Sequence, residues 1–203
     1  MSNSSVAVAD ALLVLAGEFS ADGCHLQAIK CLEAICQSQE SFLPLVEVET
    51  RLRLAQLLLQ HTDNFAAAKA HLERCEPLTK GLVAFDLKFR VLSETSKCYA
   101  CAGLLRQQKL TIKKGLELCS LAQQHHWDHA SWWDNHFTLQ LANVFAAEQD
   151  FHSATQTLQK GQQQAYEMQN LEVQVTRSPA QCGLPYARGM PCPDIHGIPL
   201  SEV

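Results

Sequence analysis

The sequence predicts an all-α chain, with about four helical hairpins stacked in an array and an irregular tail behind them. Three observations carry this. Apolar side chains recur at i, i+3, i+4 and i+7, one face of a helix, as in Leu12, Leu15, Ala16 and Phe19. The stripe Ala28, Leu32, Ile35 returns 40 positions later as Ala68, Leu72, Cys75. From Glu172 the stripes stop, and five of the seven prolines follow. The alternation and turn pairs that a sheet needs are missing as a set, and the single Asp22-Gly23 lies between helical stripes.

Taken in order, residues 1–8 are expected to be a flexible N-terminus. The first hairpin is placed at about 9–38, with the Ala21-Asp22-Gly23 break between its helices. The second, at about 47–78, has Leu54, Ala55 and Leu58, a break at His61-Thr62-Asp63-Asn64, and the shifted stripe. The third, at about 85–124, reads as degenerate, because the same 40-residue step lands on Gln108, Ile112 and Gly115. The fourth, at about 130–171, shows Leu141, Ala142 and Phe145, a break at Gln149-Asp150-Phe151, then Ala154, Leu158 and Gly161. Extra residues around Ser41–Val46 and His125–Asp134 are expected as linkers between hairpins. Residues 172–203 are too rich in proline for a helix, since proline lacks an amide donor and clashes with the preceding turn. They are expected to be disordered. A solenoid normally ends in a capping helix, and an uncovered apolar face of about 300 Å² forgoes roughly 7 kcal/mol. The chain therefore reads as a truncated array with a replaced end, soluble only with a partner.

Lys and Arg number 16 against 21 Asp and Glu, a formal charge of −5, which excludes a globally basic nucleic-acid domain as the default. The longest apolar stretch, Val6–Gly17, is broken by Asp10 and too short to span a bilayer, and no cation precedes it. A soluble intracellular protein is expected, with no membrane contact. Nine cysteines, an odd number without a leader, are poor support for a disulfide framework. Cys24, Cys31, Cys36, Cys75 and Cys119 sit among apolar residues and read as small buried hydrophobes.

Few residues point to chemistry. Cys98-Tyr99-Ala100-Cys101 has the spacing of redox and zinc pairs, but the βαβ context and a second ligand pair are missing. It reads as a half-buried pair. His125 and His129 would share a helical face, yet the Glu of a metalloprotease motif is absent, and Trp127, Trp132 and Trp133 make the segment look like an aromatic linker. No cofactor, metal, small-molecule substrate or catalytic site is expected. Arg106, Lys109, Lys113 and Lys114 gather charge on one helix, either a solvated outer face or a weak phosphate contact.

Small residues where two helices touch, with a large one a turn later, are what tetratricopeptide (TPR) repeats use. Leu15-Ala16 with Phe19 and Ala28, and Leu141-Ala142 with Phe145 and Ala154, resemble that motif. The spacing is 40 here, against about 34 in the common form. The resemblance implies a right-handed α-solenoid whose first helices line a peptide-binding groove. Counted from the packing stripes, the groove-facing side chains are Arg53, Gln56, Gln60, Arg90, Glu94, Lys97, Gln140 and Asn143. Amides and arginines of this kind hydrogen-bond an extended backbone and pair with acidic side chains.

The stretch Thr50–Cys75 resembles the second hairpin of the TPR-type smaller subunit of the cohesin loading complex, the sister chromatid cohesion factor family. Arg51, His61-Thr62 and Ala68-Lys69-Ala70-His71-Leu72-Glu73 carry the likeness, with one extra residue before His71. Phe85-Asp86-Leu87-Lys88-Phe89 and Leu92-Ser93-Glu94 are similar to that family's next helix, and Leu26–Leu32 is a weaker fit. The resemblance extends to about Glu172, so this chain would be an N-terminal portion. It implies a non-catalytic scaffold in the nucleus that wraps the N-terminal segment of the large HEAT-repeat loader subunit and meets cohesin and chromatin indirectly. A TPR adaptor or co-chaperone gripping an acidic tail is the competing reading. Against it, Leu13 and Gly17 stand where a clamp needs Lys and Asn.

Overall fold

A computed structural model describes the backbone of residues 3–38 and 43–177. Among the described residues the fold is all-helical: α1 (Asn3–Ala21), α2 (His25–Gln37), α3 (Pro44–His61), α4 (Phe65–Lys80), α5 (Phe85–Cys101), α6 (Leu105–Gln124), α7 (Ala130–Ala147) and α8 (Phe151–Arg177). The chain divides into two units, Met1–Glu167 and Met168–Val203. In the first, each helix from α1 to α6 packs on the next, and α3 also packs directly on α5. Of the second, residues 168–177 are the last turns of α8.

The turns explain why the chain breaks where it does. After α1, Gly23 takes φ 74° and the Cys24 amide reaches back to the Phe19 carbonyl at 2.7 Å. Gly103 does the same after α5, with Leu104 N bonded to Tyr99 O at 2.9 Å. These are Schellman closures, in which a left-handed residue lets the chain satisfy the last carbonyls of the helix. His126 (φ 54°) and Gln149 (φ 62°) fill the same role after α6 and α7 without being glycine. The second hairpin uses a cap instead: Asn64 Oδ1 accepts from the Ala67 amide at 3.2 Å, opening α4. Asp150 opens α8 likewise, accepting from Ser153 N at 3.0 Å, and hydrogen bonding from the Ser153 side chain first and its amide second holds the carboxyl below the usual range.

The repeated stripe is the core. Ala28, Leu32 and Ile35, then Ala68, Leu72 and Cys75, are at most 3% exposed. Each fully buried Leu or Ile supplies roughly 1.5–3 kcal/mol. In the third hairpin Gln108, Ile112 and Gly115 are all buried, so the hairpin read as degenerate is packed like the others. Gly115 is required there, because a Cβ would stand 2.8 Å from the buried Phe137 ring. In the fourth, Ala154 and Gly161 are buried, but Leu158 is 47% exposed.

Several boundaries differ from expectation. Asn3–Val8, expected as a flexible N-terminus, form the first turns of α1. Pro44–Val46, expected in a linker, open α3, because proline's fixed φ and missing amide suit a helix's first turn. Ala130–Asp134, which fell in both the expected linker and the expected fourth hairpin, belong to α7, as the hairpin bounds had it. Glu172–Arg177, expected as tail, continue α8, since the first of the dense prolines is Pro179. The expectation of disorder for 178–203 lies outside the described residues.

Candidate functional site

An inner helix of such an array is covered on three sides, by its own partner, by the preceding outer helix and by the next inner helix. In α3 this buries Val48, Thr50, Leu52, Leu54, Ala55, Leu57 and Leu58, leaving one open stripe. Arg53 and Gln56 lie on that stripe. With Arg90 of α5 they line a cleft of about 550 Å³, together with Leu13, Val46, Glu49 and Thr50. Gln60 is exposed a turn further along α3. A Cβ on Gly17 would stand 3.7 Å from the Arg53 guanidinium, so α1 closes one end of the cleft. Leu13 and Gly17 thus occupy the first inner helix without a Lys or Asn between them and Arg53.

The remaining candidates divide. Glu94, only 8% exposed, accepts from Gln56 Nε2 at 3.2 Å and from Lys97 Nζ at 2.8 Å, bridging α3 and α5. It is a fastener more than a free contact, with Lys97 exposed above it. Gln140 is also engaged: its Nε2 lies 2.8 Å from His136 Nε2 and 3.4 Å from Ser93 Oγ, while its Oε1 is buried without a partner among the described residues. Ser93 Oγ itself lies 2.8 Å from His136 Nε2, tying α5 to α7. Burial, with Lys97 nearby, pushes the His136 pKa down. Asn143 is exposed on α7.

Residues missed from sequence are Val46, Glu49 and Thr50. They precede Arg53 at helical spacing; Val46 fell in the expected linker, whereas Glu49 and Thr50 lay inside the expected second hairpin and were not counted toward the groove. Trp132, 55% exposed, and Leu139, 54% exposed, were also missed on the same wall of α7. Trp132 stacks on His136 at 5.3 Å and meets Trp133 edge-on at 4.7 Å.

The side chains behind the family resemblance act on another face. Arg51 donates to Glu47 Oε1 at 2.9 Å and to His71 Nδ1 at 3.3 Å, and Arg74 reaches the same carboxylate at 3.4 Å. Arginine can only donate, so His71 accepts through Nδ1 and is neutral. Its pKa is lowered by burial first and Arg51 second. His61 stacks on His25 with centroids 3.5 Å apart, locking the first hairpin to the second.

The other motifs are structural. Cys98 is buried and Cys101 exposed; burial, with Cys101 beside it, raises the Cys98 pKa. Burial pushes the Cys75 and Cys119 thiols up to about 12, so both are protonated packing groups. His125 and His129 lie outside any helix, which removes the i, i+4 chelating geometry. His125 rests on Phe85 and His129 on Trp127. The cationic helix is partly neutralised: Lys109 pairs with Glu148 and lies 4.5 Å over the Phe145 ring, and Lys114 pairs with Glu76 at 3.0 Å. Among the described residues no helix is long and apolar enough to cross a membrane.

Fold and wall together define the class, an α-helical repeat protein whose inner helices present an open polar face. The chain matches the cohesin loading factor family over residues 27–191 and belongs to it. It is 46% identical over 156 residues to sister chromatid cohesion protein SCC4 of Arabidopsis thaliana, a match covering 76% of this chain and 21% of that protein. The MAU2 chromatid cohesion factor homolog of Drosophila ananassae is 28% identical over 144 residues, covering 70% of this chain and 21% of the relative. The Nematostella vectensis homolog is 25% identical over 162 residues, covering 80% and 23%. The chain therefore spans about a fifth of the length of these relatives.

Proposed function

We propose that this chain is a non-catalytic scaffold segment of a cohesin loader. In this reading it wraps the N-terminal segment of the large HEAT-repeat loader subunit and supports loading of cohesin onto chromatin in the nucleus, for sister chromatid cohesion. The observation that carries the reading is the family match across residues 27–191. The cleft supports it physically. Arg53 and Arg90 offer guanidinium donors to an extended chain, on helices already locked together by the Gln56–Glu94 and Ser93–His136 bonds. Preorganised donors lose little freedom on binding, so their contacts count toward affinity.

The test is capture of residues 1–203 by the immobilised N-terminal segment of the large loader subunit at two salt concentrations. Retention at low salt that weakens at high salt is expected of an arginine-lined groove. Absence of retention at both would sink the reading.

A further inference from the structure

The cross-helix hydrogen bonds set the register of the inner helices, and that register reveals a row. Gln56 meets Glu94, and Ser93 meets His136. One turn before each of these lies Arg53 on α3, Arg90 on α5 and Trp132 on α7. On α1 it is Gly17 that stands level with Arg53, and Leu13 lines the same cleft one turn earlier. Across the three successive inner helices α3, α5 and α7 the row therefore reads cationic, cationic, aromatic, with a glycine level with it on α1. One turn below it lies a second, acidic row: Glu49 in the cleft, and Asp86 at 4.0 Å from Arg90.

From this row, and resting on the groove-binding reading above, we infer a recognition rule. The occupant is an extended peptide carrying two acidic side chains about three residues apart, with an apolar one about three residues beyond the acid that faces Arg90, on the α7 side. The spacing follows from geometry: packed helices stand about 8–10 Å apart and an extended chain advances about 3.3 Å per residue. Arg53 forms no ion pair among the described residues, and the Arg90–Asp86 contact is long and solvent-screened, so both guanidiniums accept a partner carboxylate at little cost. Trp132 is the anchor. It is 55% exposed yet held by stacking on His136 and by the Trp133 edge, and binding hot spots are enriched in tryptophan. The acidic row supplies discrimination. A peptide slipped by one turn sets its carboxylates against Glu49 and Asp86 and is repelled.

The experiment uses the whole chain and a labelled synthetic peptide of about ten residues with this pattern. A control of equal composition has its acidic residues moved next to each other. By fluorescence anisotropy the patterned peptide should bind about tenfold or more tightly than the control. Arg53→Glu with Arg90→Glu should lose about tenfold and shift preference to a peptide with lysines in place of the acids. Trp132→Ala should lose about tenfold with an unchanged far-UV spectrum. Equal binding of pattern and control, or variants that bind the pattern as the wild type does, would overturn the rule. The N-terminal segment of the loader subunit is the second probe. If it binds while the row variants change nothing, the recognition rule fails and the scaffold reading stands. If the pattern binds through the row but the segment does not, the scaffold reading fails and the rule stands. Binding of neither removes both.

Discussion

The two halves of the array are packed with different chemistry. Between α1 and α5 the core is aliphatic, with Leu32, Leu52, Leu54 and Leu72 at most 1% exposed. Between α5 and α7 it is aromatic. Phe89 lies within 5.3 Å of Trp133, 5.5 Å of Trp127, 6.1 Å of Phe137 and 6.5 Å of Phe85, ring centre to ring centre. Helix α5 serves both cores, sending Leu87 and Val91 one way and Phe89 the other. Aliphatic stripes are interchangeable from repeat to repeat, so they build an array. Aromatic rings have preferred offsets and edges, worth about 0.5–1.5 kcal/mol per pair beyond area, so they also fix a geometry. In this chain that stiffness sits beneath the Trp132–His136 wall.

Removing one side chain from each core is the strongest way to break the comparison. Phe89→Ala should cost about 3–5 kcal/mol and Leu54→Ala about 2–5 kcal/mol, with the aromatic loss the larger because four ring contacts vanish at once. Repeat arrays open locally, so hydrogen exchange is the better measurement. Phe89→Ala should speed exchange in α6 and α7 and leave α3 and α4 nearly unchanged, with Leu54→Ala doing the reverse. Equal loosening everywhere in both variants would mean one cooperative core and no division.

A smaller effect tests how tightly the aromatic half is fitted. Gly115→Ala places a methyl 2.8 Å from the Phe137 ring, which is fully buried and backed by Trp133 and Phe89. Overpacking of this kind costs about 1–3 kcal/mol. Gly17→Ala, with its nearest neighbour at 3.7 Å, has room and should be neutral or mildly stabilising. Thermal unfolding of the two variants side by side decides it, and a benign Gly115→Ala would show that the aromatic core can shift.

The same division explains what could be read from the sequence. The aliphatic core was legible because Ala28, Leu32 and Ile35 repeat with a fixed step, and helical phase then carried Arg53, Gln56 and Arg90 to the open stripe. The aromatic core was not. Its rings come from Trp127 in a turn and Trp133 in a stretch read as linker, and neither recurs at the repeat step. Glu94 and Gln140 lie on the correct helices but are engaged by Gln56 and His136, which only the spacing between helices decides. The cations Lys109 and Lys114 find their acids 39 and 38 residues away, in the next and previous repeats. A reading of one helix at a time has no access to those partners.

The smallest expected effect isolates one charge in the aromatic half. Asp134 of α7 lines a second cleft, of about 710 Å³, between α6, α7 and α8. Burial raises its pKa, and Lys160 only partly opposes this. A carboxyl raised in the folded state favours folding fully below its unfolded pKa, near 3.9, and that advantage is lost as pH rises through the folded value. At neutral pH the charge therefore works against the fold. Asp134→Asn should raise the melting temperature by about 1–2 °C at pH 7, and the gain should vanish toward pH 4. His136 on the same helix and His71 in the aliphatic half move oppositely. Their lowered pKa values mean that stability is lost as pH falls below about 6.5. That decline should persist unchanged in Asp134→Asn. A substitution that gave the same shift at both pH values would show that packing in the cleft, rather than the buried charge, governs this position.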